Sequence, residues 1–187
     1  MRYLTLARHG RTALNAEGRL RGLADPPLDE AGAGEVARLA DDLAAWRPEQ
    51  VLCSPLQRAR STARAIAERS GLTELEDARF NDRDYGPWTG EIKAEVVERF
   101  GSVDAAPGVE DLAVVLERAR RGLAAIASGP LERVVVVTHD AVIRALLEWV
   151  DADAAASAAV PTASWCRLSR DEHAVWRIEL LDQKPGS

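Results

Sequence analysis

The run of four valines at positions 134–137 restricts the fold of this chain more than any other feature of its sequence. β-Branched residues favour strands, and an uninterrupted apolar run indicates a strand that is buried on both faces. Such strands lie in the centre of parallel sheets that are covered by helices on both sides. The run therefore predicts an α/β fold, a three-layer αβα sandwich with a mostly parallel central sheet.

Strands and helices alternate along most of the chain, as this architecture requires. The apolar or alternating runs that predict strands are 3–7, 50–53, 133–138, 164–169 and 175–181. The segments with helical apolar spacing are 31–46, 55–71, 92–100, 109–127 and the stretch that follows His139. The last two strands are expected to form a C-terminal hairpin. Because no linker or internal repeat interrupts the pattern, we expect residues 1–187 to form a single domain.

Composition argues against several functional classes. The formal net charge of −6 disfavours binding to nucleic acid, and the basic cluster at 118–121 is interpreted as the solvated face of a helix. No apolar stretch approaches the ~20 residues that a membrane span needs, and no secretion signal is recognised at the N-terminus. We expect a cytoplasmic protein in which Cys53 and Cys166 are buried, reduced thiols.

Reactive side chains follow three of the predicted strands. Arg8 and His9 close the first strand, Arg58 comes shortly after the second, and His139 follows the valine run. If these strands are parallel, their carboxyl ends open onto the same crevice. Two arginines and two histidines that meet there suit a phosphoryl group, because arginine binds phosphate oxygens and histidine is a nucleophile near neutral pH.

Five motifs in a fixed order resemble the histidine phosphatase superfamily, in its phosphoglycerate-mutase-like branch. They are Arg8-His9-Gly10-Arg11-Thr12 with Asn15, the loop 22–28, the segment 54–59 with Thr62-Ala63, the loop 81–90, and the segment 136–139 with Val142-Ile143-Arg144. The resemblance extends over roughly residues 2–147. It implies metal-independent hydrolysis of a small phosphorylated metabolite through a phosphohistidine, with no cofactor.

The resemblance also implies roles for individual residues. His9 would be the nucleophile, Arg8 and Arg58 would bind the phosphate oxygens, and His139 would stabilise charge on the transferring group. Asp82 occupies the position of the proton donor, which is usually glutamate in this family. The positions expected to bind substrate are Thr12, Asn15, Arg21, Gly22 and Asp140.

Two aspartates are alternatives for the proton donor. Asp82 is one methylene shorter than glutamate, and its ordinary pKa of about 3.9 must be raised if it is to be protonated near neutral pH. A bound phosphate dianion is expected to raise it. Asp140 follows His139 as the donor does in the phytase-like branch, but aspartate is also a favoured N-cap. We favour Asp82 as the donor and Asp140 as the cap of a helix beginning near Ala141.

Other functions are less consistent with the sequence. A mutase shares the first half-reaction, but the segment 91–132 is shorter than the inserts that close over a bisphosphate in mutases of this family, so hydrolysis is favoured. A cysteine-dependent phosphatase needs arginine at position 59, where this chain has Ala59. A catalytically inactive relative that only binds phosphorylated ligands is expected to lack one of four side chains. All four are present here: Arg8, His9, Arg58 and His139. The three histidines lack metal-ligand spacing, so no metal is expected. Both a monomer and a homodimer stay open.

Overall fold

The computed structural model describes residues 2–185, and in this range six strands form one sheet. The strands are β1 (Arg2–Arg8), β2 (Gln50–Cys53), β3 (Glu74–Glu76), β4 (Arg133–Thr138), β5 (Trp165–Arg170) and β6 (Trp176–Gln183). The helices are α1 (Ala13–Ala16), α2 (Glu30–Ala45), α3 (Gln57–Ser70), α4 (Lys93–Phe100), α5 (Leu112–Ser128), α6 (Asp140–Val150) and α7 (Ala152–Ala155), with 3-10 turns at Ala78–Phe80 and Gly86–Trp88.

The order of strands in the sheet is β3-β2-β4-β1-β5-β6. The first four are parallel, whereas β5 and β6 form an antiparallel hairpin at one edge. This confirms the predicted mostly parallel sheet and C-terminal hairpin. Strand β3 was not predicted, because its three residues alternate two glutamates with Leu75 and contain no apolar run.

The four valines of β4 connect the two faces of the sheet. Val134 and Val136 pack with helices α5 and α6 on one face. Val135 and Val137 pack with α2 and α3 on the other face. Successive side chains of a strand point to opposite faces, so both layers of helices cover this strand and the predicted three-layer sandwich is confirmed. The prediction of a single domain stays a prediction.

Helix α6 differs from its sequence interpretation in two respects. It begins at Asp140, its N-cap residue is His139, and no side chain caps it, so the prediction that Asp140 is the N-cap is wrong. The turn from β4 into the helix already places His139 in the extended conformation of a cap residue. The apolar spacing of this helix predicts that Trp149 faces the core, but it is 37% exposed and stacks with the guanidinium of Arg120 at the surface.

The parallel pairing brings the predicted reactive residues to one edge of the sheet. Arg8 is paired with Thr138, and Cys53 is paired with Val137, so β1, β2 and β4 end at the same level. The backbone amide of His9 donates to the carbonyl of Thr138 at 3.1 Å. The expected crevice at the carboxyl ends of these strands is therefore present in the fold.

Phe80 connects the core to the loop that follows β3. Its ring is fully buried against helix α5, where a Cβ atom added at Gly122 would lie 2.5 Å from the ring carbon Cζ. Its carbonyl accepts a hydrogen bond from the Thr138 hydroxyl at 2.7 Å. Gly122 is therefore required by the close approach of an aromatic ring that fixes the start of the loop.

We predict that Gly122→Ala lowers the free energy of unfolding by about 1–3 kcal/mol, the usual cost of overpacking. Gly34→Ala in α2 is the matched control, because its new methyl group would lie 3.8 Å from the nearest atom. A helical Gly→Ala change without a clash raises stability by roughly 0.5–1 kcal/mol. Denaturant unfolding of both variants measures the difference, and equal stabilisation of the two would contradict the packing argument.

Candidate active site

His9 lies directly after β1 and is fully buried. Its Nδ1 is 2.7 Å from the carbonyl oxygen of Gly10, so Nδ1 carries the hydrogen and donates it. Burial lowers the pKa of His9 well below its ordinary value, and the neighbouring His139 and Arg58 lower it further. The ring is therefore neutral near pH 7, and its Nε2 carries a lone pair instead of a hydrogen. This is the form of histidine that acts as a nucleophile.

Arg58 lies in the first turn of α3 and is fully buried. Its Nε donates to Nε2 of His9 at 3.3 Å, which agrees with the tautomer set by Gly10. Its Nη1 and Nη2 donate to the carbonyls of Ala24 and Gly22 at 2.7 and 2.8 Å. The guanidinium thus connects His9 to the loop between α1 and α2.

Gly22 allows this loop to pass close to the next one. Its φ angle is +50°, and an added Cβ atom would lie 3.1 Å from the ring of Tyr85 and 3.2 Å from the carbonyl oxygen of Arg83. The predicted site residue Gly22 therefore contacts Arg58 through its carbonyl oxygen, and its lack of a side chain permits the close approach of residues 83–85.

Asp82 is almost fully buried between Arg58 and His139. Its Oδ2 accepts from Arg58 at 2.9 Å and lies 3.5 Å from Nδ1 of His139. Its Oδ1 accepts from the backbone amide of Arg83 at 2.9 Å. Burial raises the pKa of Asp82, although Arg58 and Arg21 oppose this effect. Burial of the carboxyl group itself thus shifts this pKa in the direction that a bound phosphate was expected to produce.

His139 faces His9 across the site, with 5.1 Å between the ring centroids. Burial, followed by Arg58 and Arg21, lowers the pKa of His139 well below its ordinary value. Among the described residues neither ring nitrogen of His139 has a hydrogen-bond partner, although the ring is 1% exposed. A buried polar group without a partner is costly, so the ring is suited to receive a polar ligand.

Arg8, Arg21 and Asp140 lie next to these groups. Nη1 of Arg8 donates to the carbonyl of Val160 at 2.5 Å and lies 3.8 Å from Oδ1 of Asp140. That carboxylate also accepts from Arg144 at 2.9 Å. The Nε atoms of Arg8 and Arg21 are buried, with no hydrogen-bond partner in the described part of the chain. The cations of the site therefore retain unused donors.

Thr12 and Asn15 bind each other instead of pointing separately into a pocket. They form a capping box at the start of α1, in which the Thr12 hydroxyl accepts from the backbone amide of Asn15 at 3.3 Å. The Thr12 backbone amide donates to the Asn15 side-chain oxygen at 3.1 Å. The helix start explains why both residue types occur here, and their predicted substrate contacts stay predictions.

A cavity of about 670 Å³ opens beside the site. Its wall contains Asp140, next to His139, and Arg83, next to Asp82. Most of its other side chains are apolar, among them Leu20, Val97, Leu112, Leu116, Ala145 and Trp149. Helices α4, α5 and α6 therefore form much of the wall.

Two residues of this region were not identified from the sequence. Arg118, predicted to lie on a solvated helix face, is only 14% exposed and donates to backbone carbonyls of the segment 79–82. Its spacing from the buried Val115 and Gly122 could have indicated an inward position. Glu110 is the second, and its carboxylate accepts from the backbone amide of Asp84 at 3.0 Å. Both contacts depend on the path of a loop.

The cysteines and possible metal ligands were also located. Cys53 and Cys166 are buried and free, as predicted, and burial raises the pKa of the Cys53 thiol to about 12. A thiol with so high a pKa is a poor nucleophile near pH 7. Residues 2–185 contain no group of three or more His, Cys, Asp and Glu side chains placed to hold a metal ion. Within the same range, no helix is both long enough and apolar enough to span a membrane.

Residues 4–184 match the profile of the histidine phosphatase superfamily (branch 1). The chain is 33% identical over 155 residues to phosphoserine phosphatase 1 of Hydrogenobacter thermophilus, and this alignment covers 76% of this chain and 73% of that protein. It is 30% identical over 204 residues to glucosyl-3-phosphoglycerate phosphatase of Mycobacterium tuberculosis, and this alignment covers 100% of this chain and 88% of that protein.

A solved structure of mycobacterial glucosyl-3-phosphoglycerate phosphatase in complex with VO3 has a TM-score of 0.89 and 28% identity to this chain. The superposition covers 98% of this chain and 100% of the other. Fold, order of motifs and sequence identity thus agree along almost the whole length. The chain belongs to the histidine phosphatase superfamily, in its branch 1.

Proposed function

We propose that this chain hydrolyses phosphomonoesters of small metabolites through a phosphohistidine formed on His9, without a metal ion or other cofactor. The observation that carries this proposal is the bonding of the His9 ring. The Gly10 carbonyl accepts from Nδ1 at 2.7 Å, and the guanidinium of Arg58 lies 3.3 Å from Nε2. A neutral nucleophile therefore lies in direct contact with a cation that can bind the phosphate it attacks.

In the first step Nε2 of His9 attacks phosphorus and the bond to the leaving oxygen breaks. Arg8, Arg58 and His139 stabilise the charge on the phosphoryl oxygens, and Asp82 gives its proton to the leaving oxygen. In the second step water attacks phosphorus and gives its proton to the Asp82 carboxylate. The P–N bond then breaks, and inorganic phosphate leaves the restored enzyme.

The surroundings of the two aspartates favour Asp82 as the donor. Its carboxyl group is buried, and burial raises its pKa, which favours the protonated form. Asp140 instead lies 2.9 Å from Arg144 and 3.8 Å from Arg8, and its side chain is 21% exposed. We therefore propose that Asp140 helps to orient Arg8 at the substrate.

We propose that the leaving group of the substrate occupies the cavity beside Asp140. Its volume of about 670 Å³ is sufficient for a small metabolite. The names of the relatives, a phosphoserine phosphatase and a glucosyl-3-phosphoglycerate phosphatase, are consistent with metabolite esters. We propose that Arg21 contacts the phosphate, because its buried Nε has no partner among the described residues. Thr12, Asn15 and Gly22 complete the proposed substrate-binding set.

The proposal also includes the organisation and location of the protein. One sheet carries the core clusters on both of its faces, which supports a single domain. The two buried, free thiols are typical of a reducing compartment, which supports a cytoplasmic location.

We predict that His9→Gln lowers phosphate release from p-nitrophenyl phosphate in EDTA by roughly 10³-fold or more, because the covalent route is lost. His173→Gln is the control. Its side chain is 80% exposed in the C-terminal hairpin, so this variant should keep wild-type turnover. Labelled substrate should leave an acid-labile, base-stable label on the wild-type enzyme and none on His9→Gln.

Two outcomes would contradict this prediction. One is label that persists on His9→Gln, which would move the nucleophile elsewhere. The other is transfer of the label from a bisphosphate-primed enzyme to 3-phosphoglycerate at a higher rate than to water, which would indicate a mutase.

We predict that kcat/KM for an alkyl phosphate falls as the pH rises through the raised pKa of Asp82, because only the protonated carboxyl group can give a proton. Asp82→Asn should remove this alkaline limb and lower kcat/KM by about 10²–10⁴-fold, the usual contribution of a general acid. Asp140→Asn should keep the limb. Loss of the limb in Asp140→Asn, with a wild-type profile for Asp82→Asn, would reverse the assignment.

A further inference from the structure

The guanidinium of Arg118 contacts three backbone carbonyls next to the proposed proton donor. Its Nη1 donates to the carbonyls of Arg79 and Asn81 at 3.1 and 2.6 Å. Its Nη2 donates to the carbonyl of Asp82 at 2.8 Å. Arg118 comes from the middle of α5, and its side chain is 14% exposed. A helix that contributes no predicted catalytic group thus reaches the proton donor.

Two of these carbonyls belong to the peptide groups on either side of the Asp82 Cα atom. The Asn81 carbonyl is part of the peptide group before Asp82, and the Asp82 carbonyl is part of the peptide group after it. Peptide groups are planar, so a single rigid, planar guanidinium that binds both restricts the two backbone dihedrals of Asp82. The direction in which its Cα–Cβ bond points is therefore restricted by Arg118.

Glu110 holds both Arg118 and the next part of the same loop. Its Oε2 is 3.5 Å from Nη2 of Arg118 and accepts from the backbone amide of Asp84 at 3.0 Å. The Glu110 backbone amide donates to the carbonyl of Asp84 at 2.8 Å, and the Glu110 carbonyl accepts from Arg83 at 2.7 Å. The loop is thus bound by side chains on both sides of Asp82.

We infer that Arg118 is a positioning residue for proton transfer, which holds the backbone of Asp82 so that its carboxyl group reaches the leaving oxygen. This inference rests on the proposed role of Asp82 as the proton donor. Aspartate is one methylene shorter than glutamate, so the position of its carboxyl group follows the backbone closely. A misplacement of 1 Å can cost about 10²-fold in rate.

The test compares two substrates in each enzyme variant. An alkyl phosphate needs a proton on its leaving oxygen, whereas the p-nitrophenolate ion leaves without one. We expect Arg118→Met to lower kcat/KM for the alkyl ester by about 10²-fold and to change the value for p-nitrophenyl phosphate far less. The ratio of the two values does not depend on the fraction of folded enzyme, so a loss of stability does not affect the result. Arg121→Met, an exposed arginine on the same helix, is the control and keeps the wild-type ratio.

Arg118→Lys separates hydrogen bonding from charge, because Arg118 also lowers the pKa of His139 through its charge. A lysine keeps the charge but lacks the planar pair of donors. The ratio of kcat/KM for the alkyl phosphate to that for p-nitrophenyl phosphate should therefore fall at least about tenfold in Arg118→Lys, toward the value of Arg118→Met. A wild-type ratio in Arg118→Lys would overturn the inference in favour of charge alone.

A double-variant cycle identifies the group through which Arg118 acts. In the Asp82→Asn background, Arg118→Met should cause no further change in the ratio. A second loss of similar size would overturn the inference, because Arg118 would then act independently of Asp82. If Asp82→Asn itself keeps the wild-type ratio, the proposed donor is wrong and the inference about Arg118 fails with it. If Asp82→Asn lowers the ratio and Arg118→Met does not, only the inference about Arg118 fails.

Discussion

The buried positive charge of Arg58 is the constraint on which the rest of the site depends. A guanidinium removed from water costs several kcal/mol unless its donors are satisfied. Its partners here are two carbonyls of the loop after α1, the carboxylate of Asp82 and the ring of His9. Because these partners come from three separate parts of the sequence, one buried side chain holds together His9, the loop after α1 and the loop that carries Asp82.

The protonation states of the buried groups follow from the same surroundings. Burial and nearby arginines keep His9 and His139 neutral, while burial favours the protonated form of Asp82. The arginines are therefore the main positive charges that face a phosphate in this site. Donors that are already oriented before the reaction need little rearrangement as charge develops, which is the basis of electrostatic catalysis.

The sequence was sufficient for features that depend on strand periodicity. The valine run gave the centre of the sheet, and the shared edge of parallel strands indicated that Arg8, His9, Arg58 and His139 would meet. It was insufficient where a loop decides the partner. Arg118 resembles any other arginine on an amphipathic helix until the path of the segment 79–82 places three carbonyls beside it. Asp140 was predicted to be a cap, but the turn from β4 makes His139 the cap residue, and Asp140 instead pairs with Arg8 and Arg144.

The backbone around His9 is held by a much later part of the chain. The Arg8 amide donates to the carbonyl of Ser164, and Ala163 donates to the carbonyl of His9. The Arg8 side chain reaches Val160, 152 residues further along. Contacts this distant in sequence are typical of topologies that fold slowly. During synthesis, a ribosome-bound chain that has not yet released residues 160–164 carries every proposed catalytic side chain, but the backbone on either side of His9 still lacks these hydrogen bonds.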